Sequence, residues 1–299
     1  MTTLRETIRE LTARHLDAGH LVMGQNLTAV GWVGGTLPER HDMTELPMSD
    51  VANSGFVVGA ALAGRRPIYV VRYQGFQHLN AAMIVNYAAK SKALWGRSCP
   101  LLVRSIAMEG GIGPTSGSSH HSLFTRMPGV KVFAPMTPGE WRAAYDEFMA
   151  GDDPVYLSEH RGAYENDAEL PSHRIHTRSR ADVMLFPISI TRFTALQAAA
   201  ELVDEGIVVG ICHISQLKQF HISDDVSADL EWTQFGGIVL DDDYASGVAS
   251  DIAQQLHTLT SARMRVLALP DRTAGFGPGM DVLPPNAERI KTFVKEIVR

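Results

Sequence analysis

Apolar positions along the chain follow two rhythms that alternate from end to end. Amphipathic stretches with helical spacing run over residues 4–17, 53–64, 79–92, 138–150, 192–205, 245–259 and 286–298. Between them stand short apolar runs at 21–23, 68–71, 101–103, 131–134, 155–158, 183–187, 208–213, 238–241 and 265–268. A strand without polar alternation is covered on both faces, the condition of a parallel sheet between helix layers. The order predicts an α/β fold of strand–helix–strand units. At 299 residues the chain is long for one core, so two domains are expected. One stretch breaks the rhythm: residues 161–180 are polar and aperiodic, with Pro171 and four arginines. It reads as a linker joining a first domain, 1–160, to a second, 181–299. Each domain is expected to be a mostly parallel sheet flanked by helices.

Composition narrows the function classes. The hydrophobic share of 45% and charged share of 20% are those of an ordinary globular chain. The net charge is −6, and the basic cluster from Arg174 to Arg180 lacks interleaved aromatics, so nucleic acid is not an expected partner. Cys99 and Cys212 stand alone in apolar runs, which suggests neither a disulfide framework nor a zinc site. No apolar run reaches the roughly 20 residues that span a bilayer. The charged, amphipathic start, 1–18, is unlike a signal peptide, and a cytoplasmic location is expected.

The chemistry concentrates in Pro47-Met48-Ser49-Asp50 and the small, apolar helix that follows it. Glycines at 55, 59 and 64 each cost up to ~1 kcal/mol of helix propensity, which suits a helix that another backbone or a flat ligand approaches closely. Asp50 has two readings: an N-cap, or an acid desolvated at a buried helix start for proton transfer.

From Leu46 to Glu159 the chain resembles the pyrimidine-binding domain of thiamine-diphosphate enzymes, most nearly the beta subunit of the decarboxylating component of 2-oxo acid dehydrogenase complexes. The residues that carry the likeness are the Pro47–Asp50 run and Ala63-Gly64-Arg65-Arg66-Pro67, then Tyr73-Gln74-Gly75-Phe76 and Asn86-Tyr87-Ala88-Ala89-Lys90. Pro100-Leu101-Leu102-Val103-Arg104, a glycine-rich loop, His120-His121-Ser122 and Pro128-Gly129-Val130-Lys131-Val132 follow in the family's order. The second half resembles the family's C-terminal domain at Asp182-Val183-Met184-Leu185, Leu217-Lys218-Gln219-Phe220 and Val239-Leu240-Asp241-Asp242. The resemblance thus implies a transketolase-like pyrimidine-binding domain followed by a transketolase C-terminal-like domain.

The resemblance also implies the activity: a thiamine-diphosphate-dependent subunit that decarboxylates a 2-oxo acid and passes the acyl unit to a lipoyl group or another acceptor. Half of a split transketolase, an acyloin-forming carboligase and a non-catalytic scaffold remain as alternatives. Asp50 aligns with the family glutamate that hydrogen-bonds the cofactor's pyrimidine ring nitrogen. Tyr73 and Phe76 stand where the family places aromatics beside the pyrimidine; as core residues they would need no special role. His121 aligns with a histidine that positions or protonates the bound intermediate, the alternative being a solvated loop pair with His120. Gln25 and Asn26 replace acids that the family carries near the cofactor, and only six residues separate His121 from Pro128, fewer than in the family. The family's diphosphate motif, Gly-Asp-Gly, occurs nowhere in this sequence. The implied assembly is therefore an α2β2 heterotetramer whose alpha-type subunit holds the diphosphate and Mg²⁺, with a lipoyl carrier as a further partner; this chain is assigned no metal ligand.

Overall fold

The computed structural model describes residues 2–108, 117–171, 174–175, 180–271 and 284–298, and the chain forms two compact α/β units. Of the described residues, the first contains 2–108 and 117–169; the second contains 170–171, 174–175, 180–271 and 284–298.

In the first unit the elements run α1 (Leu4–Asp17), β1 (Leu21–Gly24), α2 (Ala29–Gly35), β2 (Thr44–Glu45), α3 (Asp50–Leu62) and β3 (Pro67–Val71). Then follow α4 (Gln77–Met83), α5 (Ala89–Trp95), β4 (Leu102–Ala107), α6 (Ser122–Thr125), β5 (Lys131–Phe133), α7 (Pro138–Ala150) and β6 (Val155–His160). Six strands pair in parallel in the order β2-β1-β3-β4-β6-β5. Strands β3, β4 and β6 are buried at every position, β3 as an unbroken apolar run and β4 and β6 with polar residues among their apolar ones. Thr3 begins α1 with a capping box to Glu6, and Thr137 caps α7 with Pro138 in its first turn.

The second unit has β7 (Arg174–Ile175), β8 (Val183–Pro187), α8 (Thr191–Asp204), β9 (Val209–Ile211), α9 (Asp224–Trp232), β10 (Gly237–Tyr244), α10 (Val248–Thr260), β11 (Met264–Leu269) and α11 (Ala287–Val298). Its sheet order is β11-β10-β8-β9-β7, parallel except for the antiparallel edge strand β7. Helices α8 and α11 bury Ala195, Ala198, Leu202, Ile290 and Val294 against Val183, Leu185, Ile211, Ile238 and Leu240. Of the segment read as a linker, residues 161–169 belong to the first unit and Arg174–Ile175 form the edge strand of the second.

The stretch predicted as one helix over 79–92 is divided. Helix α4 runs into a π-helical turn at Ile84–Ala88, and α5 resumes beyond it. Helix α5 begins tight against the Pro128-Gly129-Val130 turn. Gly129 has φ +78°, and a Cβ placed there would lie 1.9 Å from the Ala89 carbonyl oxygen. Both the backbone conformation and the contact exclude a side chain. Gly129→Ala should therefore lower stability by about 3 kcal/mol or more, read by urea unfolding; an unchanged midpoint would contradict the packing described here.

Buried polar groups tie the first sheet to its helices. Arg104 on β4 donates through Nε and Nη2 to both Glu159 oxygens on β6 at 2.6 and 2.9 Å, and through Nη2 to Thr36. Tyr164 adds a hydrogen bond to the same carboxylate. His15 contacts the Arg66 carbonyl oxygen through Nε2 (2.8 Å) and the Tyr145 hydroxyl through Nδ1 (3.0 Å), and burial lowers its pKa to about 4. His160 accepts from the Gly162 N–H through Nδ1, and burial lowers its pKa to about 3.

Both imidazoles stay neutral in the fold but take a proton near pH ~6.5 once unfolded. The unfolded chain then binds more protons, so their stabilisation is complete above that pH. It is lost as pH falls towards 4 for His15 and 3 for His160. Each ring should contribute a slope of up to about 1.4 kcal/mol per pH unit in that window. Denaturant titrations between pH 7.5 and 5 on the native chain and His15→Gln should show a shallower slope in the variant.

Candidate functional site

The candidate site lies where ligands of parallel α/β sheets gather, at the carboxyl ends of adjacent strands. Gln25 follows β1, Tyr73 follows β3, and Asp50 opens α3. Together with Met48, Tyr69, Arg72 and Phe76 they line a cavity of about 140 Å³. Asp50, Gln25, Tyr73 and Phe76 are the four residues the sequence assigns to the cofactor, and this cavity unites them. The Tyr73 and Phe76 ring centroids lie 6.0 Å apart, and the Arg72 guanidinium sits 5.5 Å over the Tyr73 ring.

Asp50 is not the N-cap. Ser49 occupies that position, Asn53 N–H donates to the Ser49 carbonyl, and Asp50 is the first helical residue. Its carboxylate faces side chains instead. Asn80 Nδ2 donates to Asp50 Oδ1 at 2.9 Å, and Gln25 Nε2 donates to the same oxygen at 3.3 Å. Asp50 Oδ2 has no hydrogen-bond partner among the described residues. Nor is this helix start fully buried, as the sequence reading expected. Asp50 is half-buried, and Met48, Val51 and Phe56 around it are 85%, 54% and 61% exposed. The close approach inferred from the α3 glycines is equally incomplete within the chain. Gly55 meets the Met83 side chain, whereas Gly59 faces open space and Gly64, at φ +86°, lies just beyond the helix end.

His121 lies outside that cavity lining and is fully buried rather than solvated. Its Nδ1 is 3.1 Å from Ser158 Oγ. Gln74 Nε2 donates to that hydroxyl oxygen and to the Ser105 carbonyl, while Gln74 Oε1 accepts from the His120 N–H. Ser158 Oγ thus links His121 Nδ1 to Gln74 and, through Gln74, to the His120 backbone. His120 is half-buried and meets His78 edge-on. The alternative of a solvated loop pair does not hold for His121, because hydrogen bonds, rather than an apolar period, carry it inside. The glycine-rich run 109–116 preceding them lies outside the described residues.

Sequence reasoning did not single out Tyr69 or Asn80. Tyr69 is buried on β3, and its hydroxyl donates to Asn80 Oδ1. Burial and the nearby Asp50 push this phenol well above its ordinary pKa, keeping it a donor. Asn80 stands with Gln77 and His78 among the polar residues of α4, so nothing in the sequence sets it apart.

The fit of a thiamine-type pyrimidine can be judged from these residues. A cavity of ~150 Å³ is known to take a benzene ring, and this one has room for a single heteroaromatic ring. It offers that ring an aromatic flank and one unsaturated carboxylate oxygen, the donor or acceptor that a ring nitrogen needs. The residues present fit the pyrimidine half of the cofactor.

An α/β domain with an acid and two aromatic rings at its strand ends has the layout of a ligand-binding domain of that fold. More specifically, the chain belongs to the family of the transketolase pyrimidine-binding domain, matched over residues 4–166. Its relatives include the beta subunit of acetoin:2,6-dichlorophenolindophenol oxidoreductase of Cupriavidus necator, 27% identical over 86% of this chain and 80% of that protein. The 2-oxoisovalerate dehydrogenase beta subunit of Bacillus subtilis is 26% identical, covering 85% and 83%. The solved structure of a split-gene transketolase, an inactive beta4 tetramer, shares the fold at TM-score 0.75 and 16% identity, covering 99% of this chain and 97% of that one. Among the described residues no helix is long and apolar enough to cross a membrane.

Proposed function

We propose that this chain is the beta-type subunit of a heteromeric thiamine-diphosphate enzyme that decarboxylates a 2-oxo acid and transfers the acyl unit to a lipoyl group or another acceptor. The observation that carries the reading is Asp50. One of its oxygens is held by two amides and the other has no partner among the described residues, in a ring-sized cavity flanked by Tyr73 and Phe76. When bound, thiamine diphosphate supplies the electron sink for decarboxylation. Asp50 would hold the pyrimidine through Oδ2 and carry the proton its ring nitrogen exchanges, and Tyr73 and Phe76 would orient the ring. His121, with its ring fixed by Ser158, is assigned to positioning or protonating the substrate side.

Two observations support an alpha-type partner that carries the diphosphate and Mg²⁺. The sequence has no Gly-Asp-Gly motif. Met48, Val51 and Phe56, near Asp50 in the chain, are also large apolar residues left exposed, as residues of an interaction site are. An α2β2 assembly follows if each site needs both chain types under closed twofold symmetry.

The experiment is reconstitution with an alpha-type chain bearing Gly-Asp-Gly. Pyruvate, 2-oxoisovalerate and acetoin are then offered with either a lipoyl domain or an aldehyde as acceptor. Lipoyl acylation establishes the dehydrogenase type. Carbon–carbon transfer to the aldehyde alone establishes the transketolase or carboligase type. No turnover with any pair leaves a scaffold and refutes the proposal.

A further inference from the structure

Asp50 is one methylene shorter than the glutamate implied at its position, so its aim depends on what holds it. Every hydrogen-bonding atom of the Asn80 amide is used. Nδ2 donates to Asp50 Oδ1 (2.9 Å) and to the Phe76 carbonyl (3.0 Å), while Oδ1 accepts from the Tyr69 hydroxyl. This orientation is unambiguous. A carboxylate and a carbonyl only accept, so the NH₂ must face them, and the phenol must donate to the remaining oxygen. Asn80 is fully buried and Tyr69 is 1% exposed, so water cannot replace either partner. The same Asn80 bond to Phe76 fixes the 3-10 turn (Gln74–Phe76) that presents the aromatic wall.

We infer that Tyr69 and Asn80 form a positioning relay that clamps Asp50 Oδ1 and so presents the single oxygen Oδ2 to the cavity. Gln25 closes the clamp from the other side. The inference rests on the proposed role of Asp50 and names the residues that make the shorter acid usable. Without the Tyr69 hydroxyl, Asn80 Oδ1 is left buried without its donor, and relief of that unpaired oxygen loosens the amide's hold on Asp50 Oδ1, so the carboxylate would swing.

The test uses Tyr69→Phe, which removes one oxygen and leaves the ring in place, in both the isolated full chain and the reconstituted enzyme. In the ¹⁵N-labelled isolated chain, the Asn80 side-chain NH₂ signals should be protected from exchange and should lose that protection in Tyr69→Phe. In the enzyme, kcat should fall on the order of 10-fold while KM for the 2-oxo acid changes little, and the pH profile should shift. Tyr69→Phe should have no further effect in an Asn80→Ala background, because the hydroxyl acts only through Asn80. Additive losses, or an unchanged Asn80 signal together with unchanged kcat, would overturn the relay. Asp50→Asn separates the two levels. If it abolishes turnover while Tyr69→Phe does nothing, the relay fails and the acid's role stands; if it leaves turnover intact, the acid's role itself fails.

Discussion

Asp50→Asn should reduce turnover of the reconstituted enzyme at least ~100-fold, the low end of what a positioned acid–base group contributes. The fold should survive. Asp50 does not cap α3, and an asparagine oxygen can accept from Asn80 and Gln25 as Oδ1 does now. What the substitution removes is the titratable oxygen facing the cavity, where an NH₂ group cannot carry the proton that a pyrimidine nitrogen exchanges. A purely structural Asp50 predicts nearly full activity, so steady-state kinetics on protein of matched unfolding midpoint separates the two readings. Asp50→Glu reports on reach, which it extends by on the order of an ångström, a displacement worth ~100-fold when misplaced. A gain on pyruvate would mark the aspartate as a shortened version of the same device. A loss would show that Asn80 and Tyr69 have set the site around the shorter acid.

The alternation of strand and helix was readable because buried parallel strands leave unbroken apolar runs, as at Ile68–Val71 and Val183–Pro187. Two-residue edge strands such as Thr44–Glu45 and Arg174–Ile175 carry no period at all. Helix α9 is short and mostly polar, so its Ser223 cap was the available signal. The π-helical turn at Ile84–Ala88 leaves the apolar composition of its segment unchanged and is invisible to a periodicity argument. Within the site, Asp50, Tyr73, Phe76 and Gln25 came from motif resemblance, and they meet at one cavity. Tyr69 and Asn80 escaped notice because one sits in an apolar strand and the other looks like a surface amide of a helix. Only the fold brings residues 25, 50, 69 and 80 together. Burial of His121 was not legible because its surroundings are satisfied by Ser158 and Gln74, which are distant in sequence, rather than by an apolar period.

The division of the cofactor site between two chains is tested most directly by calorimetry with thiamine diphosphate and Mg²⁺. The isolated chain supplies a cavity for the pyrimidine but no Gly-Asp-Gly motif, and the apolar residues bordering Asp50 stay exposed. It should show no tight, Mg²⁺-dependent binding on its own. Addition of an alpha-type chain should restore such binding by at least ~100-fold, since both halves of the ligand are then held at once. Tight Mg²⁺-dependent binding by the isolated chain, unchanged on adding the partner, would contradict the account.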